Sequence, residues 1–99
     1  MGVYEISVQT GLDAHITAVN RMNLRKDIAY QARKRNVQVY FHRPVAAATG
    51  SMSILLECPE SFLDHVRALH LATSVMPIAP LVQTEREPPP PPPSKYPGM

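Results

Sequence analysis

Six consecutive prolines, Pro88 to Pro93, set the limit within which this chain must fold. A proline ring fixes φ and removes the N–H, so such a run can neither extend a ladder of hydrogen bonds nor continue a helix. It forms instead a polyproline II rod, roughly 19 Å long at about 3.1 Å per residue. Residues 1–84 are therefore expected to form the folded domain, and 85–99 a proline-rich tail that is disordered or polyproline II and makes few contacts with the body. A body of that length has room for one modest core.

Two periodicities alternate before the prolines. Tyr4, Ile6 and Val8 share one side of a first strand, with Glu5, Ser7 and Gln9 on the other. Residues 13–22 admit two readings. Asp13 fits a helix N-cap with Ile16, Val19 and Met22 following at helical spacing, yet the β-branched residues there also fit a strand paired back on the first. From Leu24 the helix is plain: Leu24, Ile28 and Ala32 recur every four residues among strong helix formers, and Asn36 is a natural stop.

A second strand follows with Val37, Val39 and Phe41 inward, closed by Pro44. A small-residue loop leads to a third, with Met52, Ile54 and Leu56 on one side. Ser61 and Asp64 form a weak capping box for a second helix whose apolar stripe is Phe62, Val66 and Leu69, with Leu63 beside it. The last strand, from Val75 on, contains Pro77 and Pro80, which cannot donate to a ladder and so belong at a sheet edge. The order β-α-β-β-α-β predicts an α+β ferredoxin-like sandwich: a four-stranded antiparallel sheet with two helices on one face.

Catalytic and metal chemistry find little support. His15, His42, His65 and His70 show no ligand spacing, so no metal is expected. Cys58 precedes Pro59 and a helix start, where a thiol pKa can fall. The preferred reading is a small buried apolar residue at a strand end. The four glycines, Gly2, Gly11, Gly50 and Gly98, make no phosphate-binding loop. Glu57, Glu60 and Asp64 suit a strand end and the first turn of a helix. No catalytic residue and no cofactor follow from the sequence, and a non-enzymatic role is the expectation. One cysteine, no targeting segment and no apolar span point to a cytoplasmic protein without a membrane partner.

Charge is unevenly spread. Residues 21–43 hold seven of the ten Lys and Arg residues, opposed by Asp27 alone. On the helix Lys26, Tyr30, Arg33 and Lys34 lie opposite the buried side, with Arg25 and Arg35 flanking. Such a face suits solvent, since basic residues near a helix C-terminus favour its dipole. It also suits a polyanion, with Tyr30 available to stack on a base, so Arg25, Lys26, Tyr30, Arg33 and Lys34 are the candidate nucleic-acid contacts.

The sheet's open face is expected to carry Glu5, Ser7, Gln9, Gln38, Tyr40, His42, Ser53, Leu55 and Glu57. Its central strands lack the stacking aromatics of an RNA-recognition sheet. Tyr40, His42 and Leu55 are the candidate surface for a homodimer. The tail offers a different contact, because a preformed proline rod docks in aromatic-lined grooves at little entropic cost. Arg86, Pro88, Pro89, Pro90, Pro91, Pro92, Pro93, Lys95 and Tyr96 are the candidate contacts to a protein partner. Arg86 with Pro89 and Pro92 has a basic-x-x-Pro-x-x-Pro spacing, and Pro90, Pro93 and Lys95 have the reversed one. The leading expectation is a self-associating interaction or regulatory module; the alternative is a small nucleic-acid-binding protein.

Overall fold

The computed structural model describes residues 1–45, 53–78 and 82–88. Met52, Pro80 and the tail contacts from Pro89 to Tyr96 lie outside the described residues. The elements are β1 (Gly2–Val8), α1 (Ala14–Lys34), β2 (Tyr40–Pro44), β3 (Ile54–Cys58), α2 (Leu63–Arg67), β4 (Ala72–Pro77) and β5 (Thr84–Arg86). They form an α+β fold of two helices and a five-stranded antiparallel sheet in the order β4-β1-β3-β2-β5.

The first helix settles the double reading of residues 13–22. Asp13 is extended at φ −146°, and its Oδ1 accepts from the Ile16 N–H at 2.9 Å, so α1 begins there and runs unbroken. Just ahead, Gly11 passes so close to Ile16 that a Cβ at that position would collide with its side chain. Asn36 ends the helix in the left-handed region, at φ 57°. Val37 N–H then reaches Ala32 O at 2.8 Å and Asn36 N–H reaches Arg33 O at 3.2 Å, the paired bonds of a Schellman stop.

Because α1 is continuous, its buried stripe is set by Leu24, Ile28 and Ala32 and extends back to Thr17. Ile16, Val19 and Met22 fall off that stripe, at 38%, 40% and 57% exposure. Their expected inward role is thus overturned by the helix's own pitch of about 3.6 residues. Thr17 instead closes the turn, its hydroxyl donating to Asp13 O and accepting from Gly11 N–H.

Ile6 and Val8 of β1, Ile54, Leu56 and Cys58 of β3, and Phe62, Leu63 and Val66 meet the α1 stripe in one core. Val39, Phe41, Leu69 and Val75 pack at its margin. The second helix starts without a side-chain cap. Glu60–Phe62 form a 3-10 turn that leads directly into α2, so Ser61 lies inside the turn rather than capping it.

The largest departure is a fifth strand. Thr84, Glu85 and Arg86 pair with Pro44, Arg43 and His42, adding a strand beyond the four expected and carrying the body past the boundary drawn at residue 84. None of these residues is apolar, so no hydrophobic period announced them. Glu87 N–H still bonds Phe41 O at 2.8 Å. Pro88 then supplies no donor, and the prolines end the strand.

Candidate functional site

Strand register places Met76, Glu5, Leu55, His42 and Arg86 in one row across the five strands on the face away from the helices. Tyr40, His42 and Leu55 all belong to this face, but the chain itself covers two of them. His42 is 9% exposed and Leu55 8%.

His42 is enclosed by polar partners. Its Nε2 lies 2.7 Å from Glu57 Oε1 and its Nδ1 2.9 Å from Thr84 Oγ1. In the neutral ring, Nε2–H donates to the carboxylate and Nδ1 accepts from the Thr84 hydroxyl. Arg86 reaches the same carboxylate from above, Nε to Oε1 and a terminal nitrogen to Oε2, both at 2.9 Å. Its guanidinium lies 3.7 Å from the centre of the Tyr40 ring. These bonds, Arg86's first and His42's second, hold the Glu57 carboxyl down to about 2 from an ordinary 4.5.

The order Thr84 hydroxyl, His42 imidazole, Glu57 carboxylate is that of an acyl-transfer triad. Arg86 occupies both Glu57 oxygens, the imidazole is covered, and the nearby cleft is lined by none of the three. The cluster ties β5 to β2 and β3.

A matching clamp stands on the helix side. Arg25 grips Glu87 with both terminal nitrogens, at 2.9 and 2.6 Å, and its guanidinium lies 4.3 Å from the centre of the Phe41 ring. The bond to Glu87 is the main reason Arg25 is raised above its ordinary pKa, and the bond to Arg25 the main reason Glu87 lies below its own. Glu85 meets Arg43 at 2.8 Å. Every side chain from Thr84 to Glu87 thus has a partner on α1, β2 or β3. Where the strand ends, Arg25, Val39, Tyr40, Phe41, Arg86, Glu87 and Pro88 surround an open cleft of about 670 Å³.

The basic block of the sequence is therefore divided. Arg25 and Arg43 belong to the β5 clamp, with Arg25 bound to Glu87 and Arg43 to Glu85. Lys26, Arg33, Lys34 and Arg35 are exposed, as is Tyr30, and among the described residues these four cations form no ion pair. Arg86, expected from sequence to be a tail cation, is a strand residue bound to Glu57.

Cys58 is fully buried, and burial pushes its thiol up to about 11, away from the thiolate a nucleophile needs. Among the described residues no group of three or more His, Cys, Asp or Glu side chains is placed to hold a metal ion. Among them, too, no helix is long and apolar enough to cross a membrane. Comparison with known protein families, curated proteins and solved structures finds no match to this chain.

Sequence reasoning missed the clamp. Its only trace is the alternation of charge in Thr84-Glu85-Arg86-Glu87, which acquires meaning once Arg43, Glu57 and Arg25 stand opposite.

Proposed function

We propose that this chain is a non-enzymatic interaction module: a ferredoxin-like body that presents a proline-rich segment to a protein partner. The observation that carries the reading is the grip of Arg25 on Glu87, the residue immediately before the proline run. A rod joined through a loose linker leaves the body in any direction. Here Glu87 is held from the helix side and Arg86 from the open face, so the residues from which the run departs are fastened to the body.

A polyproline II rod has already given up most of its chain entropy, and aromatic-lined grooves exploit that. The Arg86 guanidinium is committed to Glu57 and Tyr40. The basic residue of a proline motif is then better supplied by Lys95, in the reversed spacing with Pro90 and Pro93. The cleft beside Pro88, with Tyr40 and Phe41 in its wall, offers a docked partner further apolar contact.

Calorimetric titration of the full chain against a panel of purified proline-binding domains tests the reading. Binding by at least one domain is expected. Changing Pro89, Pro91 and Pro93 to Ala should weaken it at least tenfold, because flexibility returns to the free segment. A panel in which no domain binds, or in which the alanine variant binds as well as the natural chain, dismisses it.

A second reading, a nucleic-acid-binding accessory protein, is supported by one specific feature. Lys26, Arg33 and Lys34 are exposed on α1 around Tyr30, itself 57% exposed. That surface suits phosphates flanking a stacked base.

A further inference from the structure

The outer side of α1 is not polar throughout. Counted from Leu12, just before the helix, Ile16, Val19, Asn23, Lys26 and Tyr30 follow at alternating steps of four and three. Residues three and four apart are neighbours on a helix surface, so this spacing keeps them on one ridge. Every one of them is exposed, and the ridge lies opposite the buried stripe of Leu24, Ile28 and Ala32.

Its two halves differ in kind. The first is apolar: Met22 lies beside Val19, and Leu12 is 98% exposed. An apolar residue just ahead of a helix cap often packs back on the first turns. Leu12 stands in solvent instead. The second half is cationic. Lys26, Arg33, Lys34 and Arg35 are exposed and, among the described residues, form no ion pair. Two acids belong to the helix and its cap, Asp13 and Asp27, and Asp13 gives one oxygen to the Ile16 N–H. The outer face is therefore net positive, with an apolar end.

We propose that this ridge docks on an anionic lipid surface. Leu12, Ile16, Val19 and Met22 enter the boundary between headgroups and acyl chains, and Lys26, Arg33, Lys34 and Arg35 meet the lipid phosphates. Tyr30, apolar in its ring and polar at its tip, suits the level between them. Charge complementarity selects this occupant. A nucleic acid would use the cations and Tyr30 but leave the four apolar side chains in water. A second copy would set a net-positive face against itself. Four apolar side chains on one helix are also few for a stable protein interface, which takes roughly 20–30 residues a side. The contact lies on the bilayer and does not cross it. The expected absence of a membrane partner rested on the lack of a span and of a targeting segment, neither of which a surface contact requires. The ridge is separate from the β5 clamp, so the proposal holds or fails independently of what the proline segment binds.

Co-sedimentation of the full chain with lipid vesicles tests this. Vesicles of phosphatidylcholine with about one third phosphatidylserine should bind it at least tenfold more tightly than phosphatidylcholine alone, and salt at about 0.5 M should weaken that binding. Both comparisons use the natural chain, so they stand whatever a substitution does to folding. Leu12→Ser with Met22→Ser alters only exposed side chains and leaves the charge unchanged. It should keep the melting temperature and weaken vesicle binding at least tenfold. Lys26→Gln, Arg33→Gln and Lys34→Gln together should weaken it as much. A natural chain that does not bind the anionic vesicles overturns the proposal, whether or not it binds an oligonucleotide. So does vesicle binding that the two serines leave unchanged. A dimer in solution that the serines dissociate also overturns it, and gives the ridge to a second copy.

Discussion

Arg25 in the middle of α1 and Glu87 just after the last described strand are 62 residues apart in sequence and form a two-pronged ion pair, at 2.9 and 2.6 Å. Their side chains are 27% and 29% exposed, so solvent screens the pair only in part. It closes the open edge of the sheet onto the helix and holds the root of the proline run.

A double-mutant cycle on Arg25→Gln and Glu87→Gln measures that closure. A coupling of about 1 kcal/mol is expected from urea denaturation, above the usual value for a fully exposed pair because the geometry is bidentate. Additive single effects would show that the two groups hold β5 independently.

Acid should loosen the other side of the strand. Glu57 is held near 2 when folded, below its ordinary 4.5, so the folded chain binds its proton less readily than the unfolded chain. The stability it contributes is complete above about pH 5 and is lost as pH falls toward 2. Melting temperature against pH should fall across that window, and Glu57→Gln should flatten the fall. An unchanged acid limb in the variant would assign it to other carboxylates.

Core packing gives a larger effect. Phe62 is 2% exposed among Ile6, Leu24, Ile28 and Val66, so Phe62→Ala should cost about 3–5 kcal/mol by urea titration. A loss below about 1 kcal/mol would mean that the site collapses around the missing ring.

Two truncations separate body from tail. Removing 89–99 should leave the melting temperature nearly unchanged, because a run of prolines adds nothing to the ladder. Removing 84–99 deletes β5 and should lower it. The second cut should also speed hydrogen exchange at β2, which loses its outer neighbour. Equal effects from the two cuts would show that β5 adds nothing to the sheet.

The exposed cations of α1 answer for the nucleic-acid reading. Replacing Lys26, Arg33 and Lys34 by Gln should leave folding intact, since exposed charges contribute little. If the surface binds duplex DNA, the triple change should reduce the salt slope of log K by about 0.9 for each phosphate that is no longer neutralised. Absence of binding by the natural chain at low salt would leave the block as a solvated helix face.

The sequence by itself determined those features that depend on neighbouring residues. Alternation at Tyr4, Ile6 and Val8, the spacing of Leu24, Ile28 and Ala32, and Asn36 as the helix stop are local facts with local consequences. They sufficed for an α+β body with a sheet whose last expected strand lies at an edge. Continuity of α1 was the first matter the tertiary structure decided. Once Leu24 sets the inward direction, helix pitch turns Ile16, Val19 and Met22 outward, whatever their hydrophobicity. The fifth strand was the second. Thr84, Glu85, Arg86 and Glu87 have no apolar period, and their partners Arg43, Glu57 and Arg25 are scattered along the chain. A charge pairs with any opposite charge that comes within reach, so its choice of partner is written only in the fold. The same holds for His42: alternation placed it on the open face, but Thr84 and Glu57, brought there by separate strands, made that position buried.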